Sequence, residues 1–246
     1  KDVHTYEYQQ EIRANSTNFA LGDKSGELKQ NISSKGVLLV ESQADGTADV
    51  TLNVKMTASV EGDKGSRPVE RIEPPLFLRG LREDGSGSFG SDAKDMFIKM
   101  IFPLPAKPLA VGQSVDVPAH LPFNAIGSVL SVTGRSRITL TRYVKIGQRL
   151  CAQINADIDI SDVDIPKKLE GQYQCSMKGA SVFYFDPAER IFVSGTSAIL
   201  IQFKIDAPPP KSSTDDNENS DNFSAPPDRR KMFMVSDYLI RVKIKE

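Results

Sequence analysis

The densest polar constellation in the chain is a run of closely spaced carboxylates, Asp157, Asp159, Asp162 and Asp164. Asp157 and Asp159 fall on one face of an alternating segment, and the next two lead toward Pro166. Oxygen-rich clusters of this kind suit calcium, which takes about six to eight oxygen ligands. The same residues also suit the paired acid and base of a glycoside hydrolase. The plainer reading, a charged strand end that discourages edge-to-edge association, takes precedence over both. Asp215, Asp216, Glu218 and Asp221 lie in a Ser- and Asn-rich stretch and make a weaker set.

Histidine, the commonest general base and metal ligand, occurs twice, as His4 and His120. Neither has a Cys, Asp or Glu at ligand-like spacing. The sequence holds no Gly-x-Ser-x-Gly elbow, His-Glu-x-x-His, phosphate-binding glycine loop or Cys-x-x-Cys. The expectation is therefore a non-enzymatic protein that calls for no cofactor. Cys151 and Cys175 are either two buried thiols or one disulfide of an oxidising compartment. Cys151 falls on the polar phase of its segment, and a hairpin turning around 162–171 sets the two several residues out of register. A bridge needs Cα atoms within about 7 Å, so it would require a bulge or a non-neighbour pairing. Three Asn-x-Ser/Thr sequons, at Asn15, Asn31 and Asn222, are weak signals for glycosylation.

The elements that must position any site have a period of two. Val50, Leu52, Val54, Met56, Ala58 and Val60 alternate with polar residues, as do Leu150, Ala152, Ile154, Ala156, Ile158 and Ile160. Ile191 through Ile205 and Met232 through Ile244 repeat the pattern. Successive strand residues point to opposite faces, so each segment buries one side and wets the other, as in antiparallel sheets. Turns fall at Ala44-Asp45-Gly46-Thr47, where Asp-Gly supplies the positive φ of a tight hairpin, at 145–148, and at Phe185–Arg190. No sustained helical stripe is present; at most one short helix is expected, after Val60 or around Pro122–Ser128. Tyr173, Phe183 and Phe185 alternate on one strand, and Ile199, Ile201 and Phe203 on the strand that should pair with it. Such residues line an apolar groove if the sheet curls, or they are simply core.

Three segments read as non-strand. Residues 62–95 are polar and Gly-rich, 103–122 carry five prolines and read as an extended connector, and 207–230 are predicted to be a mobile excursion. This layout suggests a duplication: a hairpin, a polar insertion, then a strand opening on Met-Phe, at Gly36–Ile101 and again at Gly179–Ile244. The predicted fold is all-β, a large curved antiparallel sheet or half-barrel with little helix. Its predicted parts are an N-terminal β half (1–102), a Pro-rich linker (103–128) and a C-terminal β half (129–246) that carries the excursion.

The chain has 246 residues, with 31 basic against 32 acidic side chains, so it lacks the basic excess that nucleic-acid binding requires. No apolar run approaches the roughly 18 residues of a membrane-spanning helix. The first residues, Lys1-Asp2-Val3, read as a mature or trimmed start, and a leader removed there is compatible with a lipid anchor.

The segment Phe102-Pro103-Leu104-Pro105-Ala106-Lys107-Pro108-Leu109-Ala110-Val111-Gly112-Gln113-Ser114 resembles the Pro-rich LPxxPxxVGxS stretch of uncharacterised secreted or lipoprotein-type bacterial β domains. The Gly179–Asp186 hairpin, followed by a long alternating strand, is similar in the same way. The resemblance implies a periplasmic, envelope or secreted setting and brings no catalytic residues. The functional expectation is an extracytoplasmic β-sheet domain that binds an apolar small molecule or a protein partner. The alternative is a structural or scaffolding domain of a cell-surface assembly, with a carboxylate-based hydrolase behind it.

Overall fold

The computed structural model describes residues 2–18, 26–61, 68–72, 75–82, 105, 107–125, 128–164, 172–207 and 230–245. They form β1 (Val3–Asn18), β2 (Gly26–Ser42), β3 (Ala48–Glu61), β4 (Val69–Ile72), β5 (Leu76–Leu81) and β6 (Ser114–Ala125). The remaining strands are β7 (Ser128–Ile146), β8 (Arg149–Asp164), β9 (Gln172–Asp186), β10 (Ile191–Ala207) and β11 (Arg230–Ile244). All pair antiparallel in one open sheet of order β4-β3-β2-β1-β11-β10-β9-β8-β7-β6, with β5 beside β4 on the margin of β3. The described residues contain no helix, so none that could cross a membrane. The first and last strands meet within this one sheet, where β1 pairs β11.

The predicted turns close the hairpins at one end of the sheet. Gly46 takes φ +82° between β2 and β3, and Gly147 takes φ +59° between β7 and β8. Asp45 caps the first turn by accepting from the Thr47 backbone N–H (3.1 Å) and hydroxyl (2.7 Å). Asp186 caps the β9–β10 turn, accepting from the Ala188 and Glu189 N–H groups at 2.9 and 3.3 Å and from Arg149 at 3.1 Å.

Two stretches expected to lack strands contain them. The polar segment after Val60 holds β4 and β5, which split the margin of β3 between them. Leu78 pairs Val50 and Leu76 pairs Leu52, while Gly80 (φ +68°) absorbs a register shift and donates its N–H to Asp49. The second half of the Pro-rich stretch is β6, and Pro122–Ala125, a suggested helix site, belongs to that strand. The physical reason lies in strand alternation. Leu140 N–H bonds the Gln113 carbonyl at 3.2 Å, so odd-numbered residues of β6 face β7 and even-numbered ones face the open margin. Pro118 and Pro122 are both even, and no ladder donor is lost. Of the predicted excursion 207–230, Ala207 ends β10 and Arg230 opens β11, and 208–229 lie outside the described residues, as does the strand expected to open at Met96.

A sheet of this size coils as it twists, turning one face inward. Register lines the inward residues up in rows. One row runs Val54, Gly36, Tyr8, Val242, Gly195, Phe183, Ile154 across β3, β2, β1, β11, β10, β9 and β8. Two rows further from the turns comes Ala58, Ile32, Ile12, Tyr238, Ile199, Gly179, Ile158.

Candidate functional site

The six apolar residues singled out from the sequence all lie on this inner face, but they divide between two packed clusters. Tyr173, Ile199 and Phe203 are buried in one with Met177 and Ile160, and Ile201 packs against it half-buried. Phe183, 1 % exposed, belongs to the other with Tyr6, Tyr8 and Leu38, and Phe185 packs beside it. A Cβ at Gly195 would overlap the Phe183 ring, so glycine makes the seat into which this ring settles. Burial raises the Tyr173 hydroxyl above its ordinary pKa.

Phe192 is the inner-face residue that alternation alone misses. The period places Ile191 and Val193 inward, yet the register shifts between Phe192 and Ser194. That bulge turns Phe192 inward, edge-on to Phe183 (centroids 6.0 Å) and Phe185 (5.2 Å). A Phe between two aliphatic residues was the available signal, since a strict period would leave its ring in water.

The row between the two described above runs Met56, Ser34, Gln10, Ile240, Ser197, Ser181, Ala156, and its three serines are all buried. The Ser181 hydroxyl donates to Ser197 at 2.9 Å, which satisfies the buried pair. Toward the turns from this row the inner face carries the buried Tyr6, Tyr8, Leu38, Phe183 and Val242, with Val40, Val54, Phe185 and Ile244 half-buried around them. Away from them, on β3, β2, β1 and β11, the apolar residues Ala58, Ile32, Ile12, Ala14, Tyr238 and Met234 remain half-buried. The inner face thus has a closed part and an accessible part, and four of the six predicted residues are buried core.

The carboxylate run does not converge. Asp157 sits opposite Arg137, and Asp159 lies between Arg135 and Lys178 in register. Asp162 is opposite Thr133, and the Asp164 side chain lies outside the described residues. Among the described residues no three His, Cys, Asp or Glu side chains are grouped as a metal would require. The outer face is instead a lattice of cross-strand ion pairs. Arg137 makes a two-point contact with Asp116 at 2.8 and 3.0 Å, and Arg241 meets Glu11 at 3.3 Å. The Arg137 hydrogen bond holds the Asp116 carboxyl below its usual range, and both arginines nearby, Arg137 and Arg135, add to the effect.

Cys151 and Cys175 are both free and buried. Cys151 stands opposite Val144 near one end of β8, whereas Cys175 stands opposite Phe203 near the far end of β9. Their strands put them far out of register, as the spacing implied. Burial pushes both thiols up, with the neighbouring Asp186 carboxylate adding to the shift at Cys151. His4 is half-buried on β1; the His120 side chain and Asn222 lie outside the described residues. Asn15 and Asn31 are exposed on β1 and β2.

A second concavity occurs where the sheet forks. The β8–β9 ladder stops at Ile160–Met177, although β8 continues along β7 to Asp164 and β9 along β10 to Gln172. The cause is Ser161: Gly134 pairs Ile160 and Thr133 pairs Asp162, leaving Ser161 as an extra residue that bends β8 away. The opening is a groove of about 560 Å³ whose lining includes Ser161, Asp162, Gln174, Gln202, Lys204 and Phe233.

Fold and faces together define an all-β, open-sheet protein with a partly accessible apolar inner surface. No family model matches the chain, and no curated protein matches it. Among solved structures, a DUF1329 family protein from Desulfovibrio piger ATCC 29098 aligns over 95 % of this chain and 84 % of that chain, at 12 % identity and a TM-score of 0.14. At that identity and score the two chains share too little for one to inform the other.

Proposed function

We propose that this protein is a non-enzymatic extracytoplasmic binding protein that takes up an apolar chain against the accessible part of its inner face. The observation that carries this reading is the contrast within one continuous surface. Ile12, Ile32, Ala58, Tyr238 and Met234 stay half-buried while Phe183 and Phe203 on the same face are fully packed. Contiguous apolar surface open to solvent costs roughly 25 cal/mol per Å², a cost that a bound hydrocarbon removes. The extracytoplasmic setting rests on the resemblance of the 102–114 segment to secreted and lipoprotein-type bacterial β domains.

Native mass spectrometry of the full chain purified from its own host tests the binding. A co-purifying apolar adduct, released by organic extraction, is the expected outcome. Rebinding should weaken about tenfold in Ile12→Gln, which puts a polar amide where a branched hydrocarbon met the ligand. Ligand-free protein in repeated preparations, together with no uptake of a fluorescent fatty acid, would overturn the reading.

A further inference from the structure

We propose that the groove at the β8–β9 fork is a binding site for a neutral saccharide, apart from the accessible rows of the inner face and independent of any ligand there. Its walls are set by backbone geometry. The extra residue Ser161 ends the β8–β9 ladder at Ile160–Met177, and the groove of about 560 Å³ opens beyond that point. That volume lies within the range of small-molecule sites.

The chemistry of the lining selects the ligand. Asp162 supplies acceptors, Lys204 supplies donors, and Gln174, Gln202 and Ser176 supply both. One acid and one base balance, so the groove does not select a strongly charged ligand. It matches one that offers donors and acceptors in alternation, as vicinal hydroxyls do. Some polar groups elsewhere on the sheet are paired across strands, as in Asp116–Arg137, Lys55–Glu70 and Arg142–Gln153. Among the described residues, the side chains of Asp162, Gln174, Ser176, Gln202 and Lys204 make no such bonds, and only the Asp162 carbonyl is engaged, by Thr133. Phe233, in register with Lys204, is 40 % exposed beside them. An exposed ring at the margin of a groove lined with amides, hydroxyls and a carboxylate offers a stacking surface for the C–H face of a pyranose, while the polar groups take its hydroxyls.

The test is titration calorimetry of the full chain with neutral trisaccharides of glucose, mannose and N-acetylglucosamine, in wild type, Phe233→Ala, Gln202→Ala and Phe77→Ala. Phe77 is another exposed ring, on the β5 margin, and serves as control. At least one trisaccharide should bind; Phe233→Ala and Gln202→Ala should each weaken it about tenfold, and Phe77→Ala should not. Unchanged circular dichroism in the variants assigns the losses to the groove. No binding at millimolar sugar, or binding indifferent to Phe233 and Gln202, overturns the proposal.

Discussion

Toward the tight turns, the inner face carries large side chains seated on small ones, with Phe183 over Gly195 and Phe192 folded in beside it. Past the Ser34, Ser197 and Ser181 row, on β3, β2, β1 and β11, the same alternation presents Ala58, Ile32, Ile12 and Tyr238 without comparable cover. Both regions look equally apolar along the chain. In the closed part Phe183 is seated on the glycine opposite it, whereas at Ile12 and Ile32 two branched residues face each other half-buried.

The sharpest way to break this contrast is truncation on both sides of it. Phe183→Ala should cost about 3–5 kcal/mol, and Gly195→Val, which drives a side chain into the same ring, a comparable amount. Ile12→Ala should cost less, about 1–2 kcal/mol, since the residue is only partly buried. Urea unfolding measures all three. Equal losses at Phe183 and Ile12 would mean that the two regions are one core.

Alkaline titration sharpens the same boundary. Burial pushes Tyr6 up to about 12, partly offset by a backbone hydrogen bond from Phe192, and pushes Tyr8 higher still. Tyr238, in the accessible part, is raised by burial as well. A raised tyrosine pKa stabilises the fold fully below the unfolded value of 10.0 and loses that contribution as pH climbs to the folded value. For Tyr6 the loss spans pH 10 to about 12 and amounts to roughly 2–3 kcal/mol. Tyr6→Phe should flatten the alkaline branch of the stability curve measurably, and Tyr238→Phe should flatten it less. The reverse ranking would place the closed part of the inner face at the wrong end.

A smaller effect is expected at the turn that finishes the closed part. Burial alone would raise the Asp186 carboxyl, but the Glu189 and Ala188 N–H groups and Arg149 outweigh it and hold it below its usual value. Its contribution is present above the unfolded carboxylate pKa and is lost as pH falls through the lowered folded value. Asp186→Asn should cost about 1–2 kcal/mol at neutral pH and nothing extra at the acid end, as acid-induced unfolding would report.

Much of this architecture was legible in the chain because alternation and Asp-Gly turns are local signals. The phases of β3, of β11 and of β8 from Ala152 on follow from their own residues, and so does the hairpin at Gly46. What escaped depends on a partner strand. Phe192 turns inward through one extra residue, which reverses the phase that the surrounding period predicts. The fork at Ser161 arises from a mismatch between β7 and β8 that neither strand shows alone. Which of the apolar residues are closed over also depends on a partner strand: Phe183 is seated on Gly195, a residue of β10.

The sheet also ends at β6, across β10, β9, β8 and β7 from the accessible rows, and here the smallest change in stability should bring a change in behaviour. The even-numbered residues of β6 aim their peptide groups away from β7, and Pro118 and Pro122 remove two donors from that row. Strand addition at this margin would thus meet an interrupted ladder. Pro118→Thr restores one N–H and a strand-forming side chain at an exposed position, so it should alter unfolding by no more than about 0.5 kcal/mol. Its self-association, followed by sedimentation velocity across a concentration series, should nevertheless rise above that of wild type. Because the inner rows reach this margin at Ala119, which is buried, a dimer formed there would extend the apolar face and leave Ile12 and Tyr238 as open as before. If the variant instead shields those residues, as uptake of a fluorescent fatty acid would report, the open rows and the open margin form one surface.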